Sequence, residues 1–171
     1  MKKMLTAGLI SAALLTGTFA HSSDAKPVKS MTREIPIESA FQKIAMGNNL
    51  QLILIQDKNI SIIRITGDKN LVNEVNVRIE RGVLTINSNK NFRNKNVRIY
   101  VPVSVLTSLD LGRGTSVATE GIVRLSGLKV TVDVDSKVDL NVIGDLELEA
   151  RDNCDLVYEK YEKFNVVYVQ R

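Results

Sequence analysis

Few side chains in this sequence could carry chemistry. Its one histidine, His21, directly follows an apolar N-terminal run that ends in small residues. The part of the chain that can fold therefore has no histidine general base, no histidine metal ligand and no Ser–His or Cys–His pair. The one cysteine, Cys154, has no second thiol to bridge, and tryptophan is absent. Three polar features remain. "LDLGRGTSVATEG" (109–121) sets Gly112 and Gly114 around Arg113, ahead of Thr115 and Ser116. "NSNKNFRNKNVR" (87–98) gathers Lys90, Arg93, Lys95 and Arg98 around Phe92. Asp133, Asp135 and Asp139 alternate with Val132, Val134 and Val138, and Glu147 and Glu149 follow.

The glycine pair fits neither phosphate-binding pattern. In a dinucleotide fingerprint a third glycine would stand at position 117, which is valine, and no G-x-x-x-x-G-K-[ST] run occurs. The residues after Thr115 continue as strand, so no helix N-terminus stands behind the loop to receive phosphate. The loop reads as a corner between strands. The carboxylate row could offer oxygens to Ca²⁺ or form the acidic rows of a glycan-cleaving enzyme, but strict alternation with valines also describes a solvated face. The basic stretch could contact an anionic glycan or an acidic partner, or it could be a solvated, asparagine-rich loop. Lys90, Arg93, Lys95 and Arg98 are the candidate partner-contact residues. No catalytic residue, metal ligand or cofactor site is assigned.

The N-terminus sets the compartment. Lys2 and Lys3 precede an apolar run that exits through Thr18-Phe19-Ala20, the pattern of a secretory signal peptide cut after Ala20 or after Ala25. The run from Met4 to Ala20 falls short of the ~20 apolar residues of a spanning helix. Loss of Lys2 and Lys3 lowers the net charge from +4 to +2, too little for a nucleic-acid footprint. The expected organisation is a signal peptide (1–20), a flexible segment (21–34) and a single β domain (35–171). The protein would be exported to the periplasm, the outer-membrane surface or the medium, with no transmembrane segment once the signal is removed.

The elements that must position these residues are strands. "LQLILIQ" (50–56) and "ISIIRIT" (60–66) flank Asp57-Lys58-Asn59 and predict a hairpin, and "VNVRIE" and "VLTINS" around Arg81-Gly82 predict another. Between the hairpins, Asp68 can cap one helical turn. Pro102, which lacks a ladder donor, predicts an edge strand or the start of a new sheet for "NVRIYVPVSV". Further on, paired aliphatics recur at Leu109/Leu111, Val130/Val132, Leu146/Leu148 and Phe164/Val166, at intervals of 21, 16 and 18 residues. Val117, Val138 and Cys154 each follow the first member of a pair by eight residues, which marks them as inward positions. Tyr158, Tyr161, Tyr168 and Phe164 would cap the end of the stack. The expected fold is all-β, a β-solenoid or right-handed β-helix-like stack in which N-terminal hairpins lead into irregular two-strand coils.

Phe41-x-x-Ile44, "LQLILIQ", "RGVLTI", "VRIYVPV" and "SLDLGRGTSV" occur in order over residues 35–171, and this series resembles the putative auto-transporter adhesin, head GIN domain family. The resemblance implies an exported β-helix-like fold of a type common in Bacteroidetes, glycine-bearing tight turns, no catalytic constellation and a role in adhesion. The later corners, Asp133-Val134-Asp135-Ser136 and Arg151-Asp152-Asn153-Cys154, carry no glycine. The expected function is a non-catalytic exported binding or structural module that meets an envelope glycan or protein, not nucleic acid. Alternatives are a β-helix polysaccharide lyase or hydrolase, which would need a walled cleft, and a periplasmic sensor or ligand carrier, which would need an apolar cavity.

Overall fold

The computed structural model describes residues 30–92, 97–151, 154–160 and 166–170. In chain order it contains β1 (Ser30–Pro36), β2 (Lys43–Met46), β3 (Gln51–Ile55), β4 (Ile62–Asp68), α1 (Lys69–Val72), β5 (Val75–Glu80), β6 (Val83–Ser88), β7 (Val97–Pro102), β8 (Ser108–Leu111), β9 (Ser116–Glu120), β10 (Val123–Val132), β11 (Lys137–Ala150), β12 (Asp155–Lys160) and β13 (Val166–Gln170). The protein is all-β, a single open, curled sheet with one helical turn. Residues 1–29, the expected signal peptide and most of the expected flexible segment, lie outside the described residues. Residues 30–34, expected to be flexible, begin β1, which is held antiparallel to β4 from Ser30 to Pro36.

Parallel pairing runs along two lanes. In the first, β6, β2, β8, β10, the second half of β11 and β13 lie side by side. In the second, β7, β3, β9, the first half of β11 and β12 do the same. The register joins like to like. Leu84, Ile44, Leu109, Val130 and Leu148 form one inward row, and Leu52, Val117 and Val138 belong to another. All of them are buried. Each side chain fills the space beside its neighbour's, so the stack excludes water by repetition of aliphatics rather than by a central aromatic cluster.

The repeat starts two residues later in β11 than its sequence suggests. Leu148, not Leu146, lies opposite Val130, and Leu156, not Cys154, lies opposite Val138. The offset of eight holds once the count begins at Leu148, and it extends back to Ile44 and Leu52. Leu146, Leu148 and Ala150 all face inward on one strand, and the small third member hides the true pair. Phe164 and the side chains of Tyr158, Tyr161 and Tyr168 lie outside the described residues.

Two further expectations change. β3 and β4 do not form a hairpin; both pair with β7, β3 in parallel and β4 antiparallel. The alternating pattern is the same for either pairing, and the parallel partner lies more than forty residues along the chain. β7 is therefore an interior strand. Its Pro102 is tolerated because it is the last residue of the strand, beyond Tyr100, where pairing with β4 ends. The β5–β6 hairpin forms as expected, with Arg81 and Gly82 at φ 51° and 75°. Asp68 caps α1 by accepting from Asn70 N–H at 2.8 Å.

Outward positions are polar and cross-linked between neighbouring strands. Lys129 Nζ lies 3.0 Å from Glu147 Oε1 and 2.8 Å from Glu149 Oε1. The hydrogen bond to Glu149, seconded by the one to Glu147, holds the ammonium above its ordinary pKa of 10.5. Because the folded value is the higher one, the contribution is present at neutral pH and is lost only as pH climbs past this range. Exposed pairs of this kind contribute little to stability.

Candidate functional site: the stacked turns

The passages from β2 to β3, from β8 to β9 and from β10 to β11 are four-residue turns, and these turns lie over one another because the strands on both sides are in register. Gly47-Asn48-Asn49-Leu50 stacks beside Gly112-Arg113-Gly114-Thr115, which stacks beside Asp133-Val134-Asp135-Ser136. The third residue of each turn is left-handed: Asn49 at φ 57°, Gly114 at 67° and Asp135 at 60°. Glycine, asparagine and aspartate are the residues that reach this region at least cost. The glycine-free turn is therefore as regular as its neighbour, with aspartate in glycine's place.

The fourth residue faces inward and links each turn to the one before it. Thr115 Oγ1 donates to Gly47 O at 3.0 Å, Ser136 Oγ to Gly112 O at 3.1 Å and Cys154 Sγ to Asp133 O at 3.2 Å. Ser136 Oγ also accepts from Thr115 N–H at 3.2 Å. Cys154 thus occupies the hydroxyl row of the turns, not the aliphatic row of Val117 and Val138. Thr115 and Ser136 are the two buried polar residues among those described. Ser136→Ala should leave the buried Thr115 N–H and the half-buried Gly112 carbonyl without this partner and cost about 2 kcal/mol. Ser136→Cys, which imitates position 154, should cost less than half of that. Denaturant midpoints of the two variants check this.

The carboxylates singled out in the sequence are mostly tied up on the surface. Asp135 pairs with Arg113 at 3.3 Å, Asp133 with Arg151 at 3.4 Å, and Glu147 and Glu149 with Lys129. Asp139 is exposed. They lie along the outside of the stack as cross-strand partners and do not converge on one point.

One concavity of about 580 Å³ opens at the stacked turns, between residues 47–49 and 87–91. It exists because β2 ends at Met46, opposite Ile86, while β6 runs on to Ser88, so Gly47 falls beside Asn87. A Cβ on Gly47 would come within 2.6 Å of Asn87 Oδ1, so the missing side chain makes room for that amide. Asn48 Oδ1 accepts from Arg113 N–H at 3.0 Å, and Asn49 is fixed by its left-handed backbone. Phe92 is buried and pins the loop after β6 to the core. The lining offers amides, a hydroxyl and an ammonium, and among the described residues it has no carboxylate, imidazole or thiol. Its chemistry is hydrogen bonding.

Of the four basic candidates, Lys90 lines this shelf, where Nζ pairs with Glu74 at 2.6 Å. Arg98 is exposed on β7 opposite Gln51, two residues beyond Asn49, so it flanks the exit of the same turn. Arg93 and Lys95 lie outside the described residues. The asparagines of the Gly47 turn were not among the candidates. Their signal was present in the sequence, since "GNNL" precedes Gln51-Leu52 as "GRGT" precedes Ser116-Val117.

The fold has solved counterparts. A putative adhesin from Bacteroides fragilis superposes with a TM-score of 0.64 at 20% identity, over 75% of this chain and 61% of that one. A putative adhesin from Parabacteroides merdae gives 0.63 at 22%, over 76% and 56% respectively. A putative lipid binding protein from Parabacteroides distasonis gives 0.59 at 19%, over 82% and 67%. The present chain therefore spans less than two thirds of the first two, and the likeness is one of fold. No curated protein matches it in sequence. No helix among the described residues is long and apolar enough to cross a membrane. The profile of one family does match, over residues 40–159, and takes in β2 to β11, most of β12 and the stacked turns. This chain belongs to the putative auto-transporter adhesin, head GIN domain family.

Proposed function

We propose that the protein is an exported, non-catalytic binding module that attaches to a component of the cell envelope or surface through its stacked turns. The observation that carries this reading is the shelf between the Gly47 turn and the loop after β6. It is a preformed concavity rich in hydrogen-bonding groups, and its described lining sets no carboxylate, imidazole or thiol beside the Ser88 hydroxyl. Lys90, which lines the shelf, and Arg98, which flanks the exit of the same turn, would extend the contact surface. The stack itself is a short β-solenoid within a single domain that begins at β1, a reading supported by parallel strands in register across two lanes. Residues 1–20 direct export, and intact-mass analysis of the protein from its native host should give an N-terminus at His21 or Lys26; a chain that keeps Met1 would contradict it.

A lipid-carrier role, which the name of one structural neighbour raises, fits less well. The inward rows are filled by packed aliphatics. The concavity bordered by Phe41, Ile60, Pro102 and Val105 measures about 170 Å³, against ~300 Å³ or more for a small-molecule pocket, and the one of about 320 Å³ beside Met46, Leu111 and Val132 is an open surface groove rather than an enclosed cavity. Enzyme chemistry would require a carboxylate or amine displaced from its ordinary pKa by burial, and the paired surface carboxylates are not placed for it. The purified mature protein should release no product from polyuronides, neutral glycans, peptides or esters. Turnover that is abolished by Asp135→Asn or Asp139→Asn would replace the module with an enzyme.

A further inference from the structure

We infer that the shelf at the stacked turns binds an uncharged, hydroxyl-rich saccharide; the inference deepens the binding-module reading and rests on it. Asn48, Asn49, Asn87, Asn89 and Asn91 line one concavity; the Asn87 and Asn89 side chains are exposed there, while the Asn48 and Asn49 carbonyl oxygens lean on the neighbouring turn at Gly112 and Gly114. Each amide carries N–H donors and a carbonyl acceptor on one rigid plane. A saccharide hydroxyl both donates and accepts, so a row of amides matches a row of hydroxyls without any net charge. The two cations that touch these turns are each paired. Lys90 is paired with Glu74 at 2.6 Å and Arg113, beside Asn48, with Asp135 at 3.3 Å. A sulfated or uronate-bearing ligand would find no uncompensated cation among the described lining residues. Among the described residues the lining also presents no aromatic ring and no exposed aliphatic side chain, which disfavours an acyl chain or an apolar peptide anchor.

The site is also ordered in advance. Asn48 is held by Arg113 N–H, and Asn49 by a turn that is itself hydrogen-bonded, with Asn49 N–H donating to Arg113 O at 2.9 Å. Gly47 leaves the space into which the Asn87 amide fits. Side chains fixed before binding lose less rotational freedom when a ligand arrives. A shallow, water-exposed shelf gains specificity in this way rather than from area.

The test is an array of immobilised neutral oligosaccharides terminating in hexoses and N-acetylhexosamines, set beside sulfated and uronate-bearing ones, probed with the mature protein. Retained saccharides are then titrated by calorimetry. Neutral saccharides should be retained, with affinity that changes less than about twofold between ~50 and ~500 mM NaCl. Asn87→Ala with Asn89→Ala should weaken binding by at least about tenfold, because hydrogen bonds built for the ligand's hydroxyls are lost. Both asparagines are exposed, so the unfolding midpoint should not move, and Arg78→Ala on β5 should bind as the unaltered protein does. Retention of acidic glycans alone, with steep salt dependence, would overturn the inference, as would an asparagine variant that binds normally. If no neutral saccharide is retained while isolated envelope still captures the protein, the saccharide assignment falls and the binding-module reading stands. If envelope also fails to capture it, both fall.

Discussion

Gly144→Ala should be the most damaging single methyl group that can be added to this protein. Gly144 sits inside β11 at φ 133°, a region that L-residues with a Cβ rarely adopt. A Cβ there would lie 1.7 Å from Leu125 O and 2.8 Å from Leu125 C. Both are backbone atoms, so no side chain can swing aside. The reason for the close approach is the bulge in β10: Arg124 pairs with Ile143 and Gly127 with Asp145, leaving Leu125 and Ser126 opposite Gly144 alone. At this bulge β11 passes from the second lane to the first, so the defect would sit where the two lanes are joined. Backbone strain contributes about 1–3 kcal/mol, and opening the bulge adds to it, for a loss of about 4 kcal/mol or more. Two controls separate the causes. Gly82 has φ 75° with nothing within 4 Å of its missing Cβ, so Gly82→Ala isolates the dihedral and should cost about 1 kcal/mol. Gly127, whose nearest neighbour would be Asp145 Cβ at 3.9 Å, should accept alanine almost without loss. Equal melting temperatures for Gly144→Ala and Gly82→Ala would mean that the lanes are not joined in this way.

Val132→Asp should come next. Val132 is 1% exposed and lies between Leu111 and Ala150 on the inward row of the first lane. A carboxylate there has no partner and should cost about 3 kcal/mol or more. Burial would raise its pKa above the unfolded value, so the protein would bind more protons folded than unfolded. The deficit should therefore grow as pH rises past about 4 and shrink below it, where both states are protonated. The neighbouring Asp133→Val removes an oxygen that accepts from Val134 N–H at 2.8 Å and a partly exposed ion pair with Arg151. It should cost about 1 kcal/mol, with no such dependence on pH. Urea titrations of both variants at two pH values test the inward row directly.

Much of this architecture is legible in the residues. Strict alternation marks the strands, Arg81-Gly82 marks the one antiparallel turn of the expected pair that forms, and Asp68 marks its helix. The rule that a second inward residue follows eight after the first is also visible, and it was placed wrongly in β11 because Ala150 is too small to stand out beside Leu146 and Leu148. Pairing between distant strands is not legible in the same way. Nothing local in "LQLILIQ" distinguishes a partner across Asp57-Lys58-Asn59 from one at Val97–Pro102, since a half-buried strand alternates whichever neighbour it has. The shelf was half visible. Its lysine stood out by charge, whereas its asparagines looked like ordinary turn residues, and only the register of β2 with β6 brings two such turns side by side.

The account rests on recognition without chemistry at the stacked turns. The most direct measurement is retention of the purified mature protein on isolated cell envelope from its native host, for the unaltered chain and for Asn87→Ala with Asn89→Ala. The unaltered protein should be retained and released intact, leaving the envelope's glycans and proteins uncleaved, and the double variant should pass through while melting at the same temperature. Equal retention of the two proteins, or cleavage of any envelope component by the unaltered one, would contradict the account.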